Sequence, residues 1–226
     1  MGVVPLGDLA AYVEFSRTLD LEVNALVQRL AVAVQARGAP YIRDVVPALG
    51  GLALHFDPAF EGNCVSAAVE LVEGALKDGI SVSADVLRTV TVPVCYEPEF
   101  ALDLQEISQK TGLSREEIIE RHSTGGYRVL MMGFAPGHAY MGGLDPKLAV
   151  PRRATPRAIV PAGSIAIANE QTVVYPYSIS GWNVIGRTPL ALFDPERQEP
   201  SLFASGDRVR FKPIDRAEFM KLAVKR

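Results

Sequence analysis

Cysteine is scarce in this chain. Only Cys64 and Cys95 are present, far apart, so no disulfide framework holds the fold, and both thiols are expected as reduced core residues. Histidine is scarce too: His55, His122 and His138 share no ligand spacing with one another or with the cysteines, which excludes a recognisable metal motif. No apolar run reaches membrane-spanning length, and the run Leu30–Val34 only continues an amphipathic helical pattern that ends at Gln35 and Arg37. Met1–Ala11 carries Asp8 and no basic residue, unlike a secretory leader, so a cytoplasmic protein with no membrane association is expected. A net charge of −3 and a pI near 5.7 exclude the broad basic face of a nucleic-acid binder. Neither GxxxxGK[ST] nor GxGxxG before a helix occurs, nor does a nucleophile elbow, an internal repeat or a low-complexity linker. Any nucleotide must therefore be bound without a phosphate loop.

One acidic gap is informative. From Pro146 to Asn169 there is no Asp or Glu, yet Lys147, Arg152, Arg153 and Arg157 fall inside that window of an acidic protein. Such a local positive field suits an anionic ligand or partner. Pro136, Pro146, Pro151, Pro156 and Pro161 preset φ around it, so guanidinium forks for phosphate or carboxylate are held at little entropic cost. The competing reading is a solvated loop. The glycines of Gly133–Gly143 and of the VPAGS stretch fit an anion-binding nest or, equally, tight turns between strands.

Single residues carry similar pairs of readings. His122 suits a general acid or base, or a cation at a helix C-terminus. His138, in an expected surface loop, suits an anion contact or packing in place of an aromatic ring. Trp182 suits stacking on a ligand or filling the barrel, and Arg187, a lone charge in an apolar strand context, demands a carboxylate or a ligand anion. Ser164, after Ala162–Gly163, reads as a hydroxyl donor at the end of a turn.

The 226 residues, 48% hydrophobic and 22% charged, make an ordinary soluble composition. The pattern predicts a strand at Leu9–Phe15, then a helix from about Leu21 to Arg37 capped by Asp20 and ended by Gly38. Neighbouring strands follow at Tyr41–Val46 and Leu52–Phe56, then a helix at Cys64–Lys77 capped by Asn63 and a strand at Thr89–Tyr96. This βαββαβ order is that of a ferredoxin-like unit. Helices at Phe100–Lys110 and from Ser114, with Glu117 completing a capping box, lead through Gly125–Gly126 to a strand at Tyr127–Phe134. Short β runs broken by Gly and Pro then continue to Ile214, before a helix at Arg216–Val224 capped by Asp215. The expected fold class is α+β, with a ferredoxin-like domain over 1–96 and an all-β barrel domain over 97–226.

The blocks GFAPGHAYMGGL, PRRATPR, VPAGSIAIANEQTVVYP, SGW, IGRTPLALFDP and SGDRVRF, in this order, resemble the KipI family, also called allophanate hydrolase subunit 1 and, as a 5-oxoprolinase component, PxpB. The resemblance is dense over Cys95–Ile214 and looser before it. It implies a cyclophilin-like barrel, a KipA/PxpC-like partner and a LamB/YcsF (PxpA)-like third subunit. With these, 5-oxoproline is opened to glutamate using ATP, with Mg brought at the level of the complex. Arg152, Arg153 and Arg157 match the family's PRR..PR segment, implying a phosphate clamp, and His122 matches a histidine before the first barrel strand. Gly133, Phe134, Pro136, Gly137, His138, Tyr140, Gly142, Gly143, Gly163 and Ser164 match its loops. Gln171, Thr172 and Tyr175 match its QTGIYP segment, and Trp182 and Arg187 its SGW and IGR blocks. The chain departs from the pattern at His138, usually aromatic, at Val173 and Ser180, usually glycine, and in CYEPEFALDL. These departures bear on substrate more than on fold. The same family resemblance also implies two alternatives, an inhibitor module for a sensor histidine kinase and a carboxyltransferase-like part of urea metabolism. The latter would need biotin from another protein, since no AMKM motif is present.

Overall fold

A computed structural model describes residues 1–79 and 88–224 and divides the chain into two compact units, Met1–Val86 and Leu87–Arg226. The first unit opens with two strands, β1 (Gly2–Pro5) and β2 (Ala10–Glu14), paired antiparallel. Helix α1 (Leu21–Ala36) starts where the Asp20 carboxylate accepts the Glu22 and Val23 N–H groups, satisfying donors that a helix start leaves open. Strands β3 (Ile42–Pro47) and β4 (Gly51–Phe56) follow, then α2 (Cys64–Lys77), whose cap Asn63 accepts the Ser66 N–H. The sheet runs β1-β2-β4-β3 with every pair antiparallel. Val13, Leu52 and Leu54 from the sheet pack on Val27, Leu30 and Val72 from the helices.

This order corrects the expected βαββαβ unit. The strand Gly2–Pro5 is additional to it, and β5 (Thr89–Cys95) does not complete this sheet: it pairs with strands of the second unit. The first unit is therefore ββαββα, and the expected boundary after residue 96 cuts through the second unit rather than before it.

The second unit continues with α3 (Leu104–Thr111) and α4 (Arg115–Thr124). The capping box at Ser114 and Glu117 forms as read, with both reciprocal bonds present. Strands β6 (Tyr127–Met132), β7 (Ala139–Gly142), β8 (Arg157–Val160), β9 (Ser164–Ala168), β10 (Gln171–Tyr175), β11 (Ser178–Ser180), β12 (Asn183–Arg187) and β13 (Arg208–Ile214) follow, then α5 (Arg216–Ala223) on its Asp215 cap. Seven strands close a barrel in the order β10-β7-β6-β13-β5-β12-β9, while β8 and β11 form a separate two-stranded ribbon. The β5–β13 pair is parallel, so the chain makes nearly the whole barrel between them. Val92, Val129, Met141, Ile165, Ile167, Val174, Ile185 and Phe211 fill one core.

Glycine is required at the corner after β8. Gly163 has φ +83, and a Cβ there would sit 2.2 Å from the Thr188 carbonyl oxygen, backbone that cannot swing away. Gly163→Ala is expected to destabilise the protein by about 2 kcal/mol or more, measured as a lower thermal midpoint. An unchanged midpoint would mean this corner relaxes freely.

Candidate functional site: an aromatic cleft beside a buried Asp–Arg cluster

The acid-free arginine window finds its acids elsewhere in the chain. Asp103, just before α3, is buried with its side chain 1% exposed. Its Oδ1 accepts Arg153 Nη1 at 2.5 Å and Arg157 Nη2 at 2.7 Å, while Oδ2 accepts Arg157 Nη1 at 2.6 Å and the Val184 N–H at 2.7 Å. Glu106 adds a contact to Arg153 Nη1 at 2.9 Å. Hydrogen bonds from Lys110 first, and from Arg153 second, hold the Glu106 carboxyl below its ordinary range. Two of the three clamp candidates are thus engaged inside the protein, because a carboxylate in this dry position needs two guanidiniums and a backbone donor.

Arg152 is different. It is exposed, forms no ion pair among the described residues, and its guanidinium carbon lies 5.8 Å from the centroid of the Trp182 ring, a cation–π distance. Beside it opens a cleft of about 350 Å³, lined by Phe134, Tyr140, Tyr175 and Trp182 with Arg152 and Arg153, and by Pro156, Ile179, Ser180 and Gly181. Phe134 is 61% exposed at φ +77, a strained conformation for a bulky residue. Burial pushes the Tyr140 and Tyr175 phenols up, so both stay neutral hydrogen-bonding groups. Amphipathic rings around one cation suit a small, flat, partly polar anion.

The remaining candidates lie elsewhere. His122 is fully buried in the barrel: its Nδ1 meets the Tyr96 hydroxyl at 2.7 Å, its Nε2 meets Thr172 Oγ1 at 3.2 Å, and Thr172 in turn donates to the Ala166 carbonyl. With Thr172 donating onward, the neutral ring accepts from Tyr96 and donates to Thr172. His138 is not on a surface loop, as expected, but fully buried, packed by Phe134, Tyr140 and Tyr175. Neither of its nitrogens makes a well-formed hydrogen bond; burial disfavours the charged ring and outweighs the Val174 backbone, which favours it. Ser164 donates to the Pro161 carbonyl at 2.6 Å rather than to open space. Arg187 donates from Nε to the Ala162 carbonyl and lies over Phe219. Gly137, Gly143 and Gly163 sit against backbone carbonyls at positive φ, the turn reading, and none of the other loop or QTVVY candidates, Gly133, Pro136, Gly142 and Gln171, lines the cleft.

Sequence reasoning missed Asp103 and the Ile179–Gly181 wall. The signal for Asp103 was an acid in the apolar stretch FALDL just ahead of a helix, a position where a carboxylate demands partners.

Residues 1–203 match the family described as carboxyltransferase domain, subdomain C and D, which gives the class of the chain. Its sequence is 37% identical over 224 residues to the B component of 5-oxoprolinase from Bacillus subtilis, covering 95% of this chain and 93% of that protein. The chain belongs to the family of 5-oxoprolinase B components. The crystal structure of TTHA0988 superposes with a TM-score of 0.78 at 34% identity over 91% of this chain, which spans only 40% of the length of that protein. K. lactis urea amidolyase shares the fold alone, with a TM-score of 0.76 at 18% identity over 97% of this chain and 15% of that one. Among the described residues no helix is long and apolar enough to cross a membrane.

Asp103→Asn leaves two guanidiniums facing a neutral amide and is expected to cost about 3 kcal/mol in urea unfolding. A loss under about 1 kcal/mol would show that the cluster is not holding the loop. Burial pushes His122 down to about 3 and His138 down to about 4, against about 6.5 in an unfolded chain. Protons therefore bind the unfolded state first. Stability is complete above about pH 6.5 and falls as pH drops toward 4, by up to about 1.4 kcal/mol per pH unit for each ring. Urea unfolding between about pH 7.5 and about pH 5 reads this slope, and His138→Phe should remove its share. A slope that persists unchanged in a His122→Gln, His138→Phe double variant would assign it to other groups.

Proposed function

We propose that this chain is the B component of an ATP-dependent 5-oxoprolinase, inactive or nearly so alone and working with KipA/PxpC-like and LamB/YcsF (PxpA)-like subunits in the cytoplasm. The observation that carries this is the end-to-end correspondence with the B. subtilis protein of that name. The cleft supports it, being sized and lined for a small ring bearing a carboxylate.

The chemistry is the activation of a lactam, a poor electrophile. Transfer of the γ-phosphoryl group from ATP to the lactam oxygen releases ADP and leaves a carbon that water can attack. The C–N bond then opens, and a second water releases phosphate to give L-glutamate. Charge spread over phosphoryl oxygens is stabilised by positioned cations and backbone donors. In this chain Arg152 is the cation available for that task. Arg153 and Arg157 act by anchoring, since their bonds to Asp103 fix the segment on which Arg152 is carried. Phe134, Tyr140, Tyr175 and Trp182 would hold the ring and exclude water. His122 lines no part of the cleft and is given no step. Magnesium would arrive with the nucleotide, at the level of the complex.

A second reading is a binding module that docks on a helical protein. It is favoured by one observation: the β8–β11 ribbon exposes Ile159 and Ile179 at 57% and 60%, and Tyr177, just before β11, is exposed at 68%. One experiment separates the two. ATP hydrolysis is measured with 5-oxoproline, this chain and both partners, each omitted in turn. Turnover is expected only with all components, and Arg152→Ala is expected to lower it about 100-fold while the complex still assembles. A stable complex without 5-oxoproline-stimulated hydrolysis would sink the enzyme reading and leave the module.

A further inference from the structure

The outer surface of the barrel carries a second cationic group, unrelated to the proline-rich window. Strand β13 alternates over its first five residues: Val209 and Phe211 are buried while Arg208, Arg210 and Lys212 are exposed. In the ladder Arg208 stands directly opposite Arg128 of β6, and on the other side Arg208 and Arg210 face Thr89 and Thr91 of β5. Like charges directly opposite in an antiparallel pair are destabilising. Among the described residues none of Arg128, Arg208 and Arg210 forms an ion pair that would relieve this. The neighbouring acids are engaged otherwise, Asp207 and Glu199 by Arg88, Asp145 by Arg121.

These three arginines line a single cavity of about 620 Å³, completed by Ser123 and Thr124 at the end of α4, by Gly125 and Gly126, and by Tyr127 and Val209. It shares no lining residue with the aromatic cleft. Gly126 adds a second observation. It lacks a positive φ, and a Cβ there would meet nothing within 4 Å, so neither backbone strain nor packing calls for glycine. What glycine does leave at this position is bare backbone beside the cavity, open to close approach by a ligand.

We propose that this cavity binds a small molecule bearing a diphosphate group. Guanidinium forks match phosphate oxygens two at a time, and three of them around one cavity call for more negative charge than a single carboxylate brings. The volume lies in the range of small-molecule sites and exceeds the needs of orthophosphate. Binding the anion also relieves the Arg128–Arg208 opposition, so the ligand stabilises the fold as it docks.

The test is calorimetric titration of the whole chain alone with pyrophosphate, ADP, orthophosphate and malonate, together with thermal midpoints. Because it requires neither partner nor turnover, its failure would leave the oxoprolinase reading standing, and the reverse also holds. Pyrophosphate and ADP are expected to bind, more weakly at high salt, and to raise the midpoint. Arg208→Gln and Arg210→Gln are each expected to weaken binding about tenfold or more while their ligand-free midpoints stay level or rise. Arg29→Gln, an exposed arginine outside both cavities, should bind as the parent does. The proposal is overturned if no anion binds, if malonate binds as well as pyrophosphate, or if both β13 variants bind normally. It is also overturned if binding is lost in Arg152→Gln instead.

Discussion

The arrangement around Asp103 governs how the second unit presents its chemistry. A carboxylate removed from water is costly unless its lone pairs are filled, and here four donors fill them: three guanidinium N–H groups and the Val184 amide. The Asp103 N–H returns a bond to the Val184 carbonyl at 2.8 Å, so the entry to α3 is stitched to β12 from both sides. Arg153 brings in the proline-rich segment and Arg157 the start of β8. With Glu106 counted, two acids face two arginines, and the cluster is close to neutral. Three pieces of chain distant in sequence, the entry to α3, the 153–157 segment and β12, are thereby held at one point. Arg152 sits directly before the Arg153 anchor, with the Pro151 carbonyl accepting from Asn183 on its other side, which is why a residue that is itself exposed can have a defined place over Trp182.

Local features are legible in the sequence wherever a local bond decides them. Asp20, Asn63, Ser114 with Glu117, and Asp215 each cap the helix they are expected to cap, because the capping donors lie two or three residues away. Features decided by distant partners are not. Thr89–Cys95 reads as a strand from its β-branched residues, but whether it joins the first sheet or pairs in parallel with β13 is settled more than a hundred residues later. Gly2–Pro5 is too short and too rich in turn formers to read as a strand, and only its pairing with β2 makes it one. The arginine window reads as unneutralised because its acids lie about fifty residues upstream. His138 reads as exposed because glycine and proline surround it, while the aromatic rings that bury it come from its own loop, from β7 and from β10.

The same logic separates the arginines around the two cavities into two kinds. Those with a nearby acid, Arg88, Arg121, Arg153 and Arg157, are structural: each ties two segments that the backbone alone would leave apart. Those without one, Arg152 on the cleft and Arg128, Arg208 and Arg210 on the barrel wall, keep their charge turned outward. An acidic protein can sustain such positive spots only where its acids are drawn off. Arg88 does this at the barrel wall. Its bonds to Asp207 at 2.6 Å and to Glu199 at 3.0 Å occupy the acid next to Arg208 and one more, and Asp207 also accepts the Ala204 N–H that shapes the turn before β13. If Asp207 were free to swing outward, it would neutralise Arg208 from the adjacent position. The pairing that shapes this turn is thus also what leaves the β13 arginines uncompensated, and a positive field confined within roughly a Debye length, about 10 Å, is the electrostatic consequence.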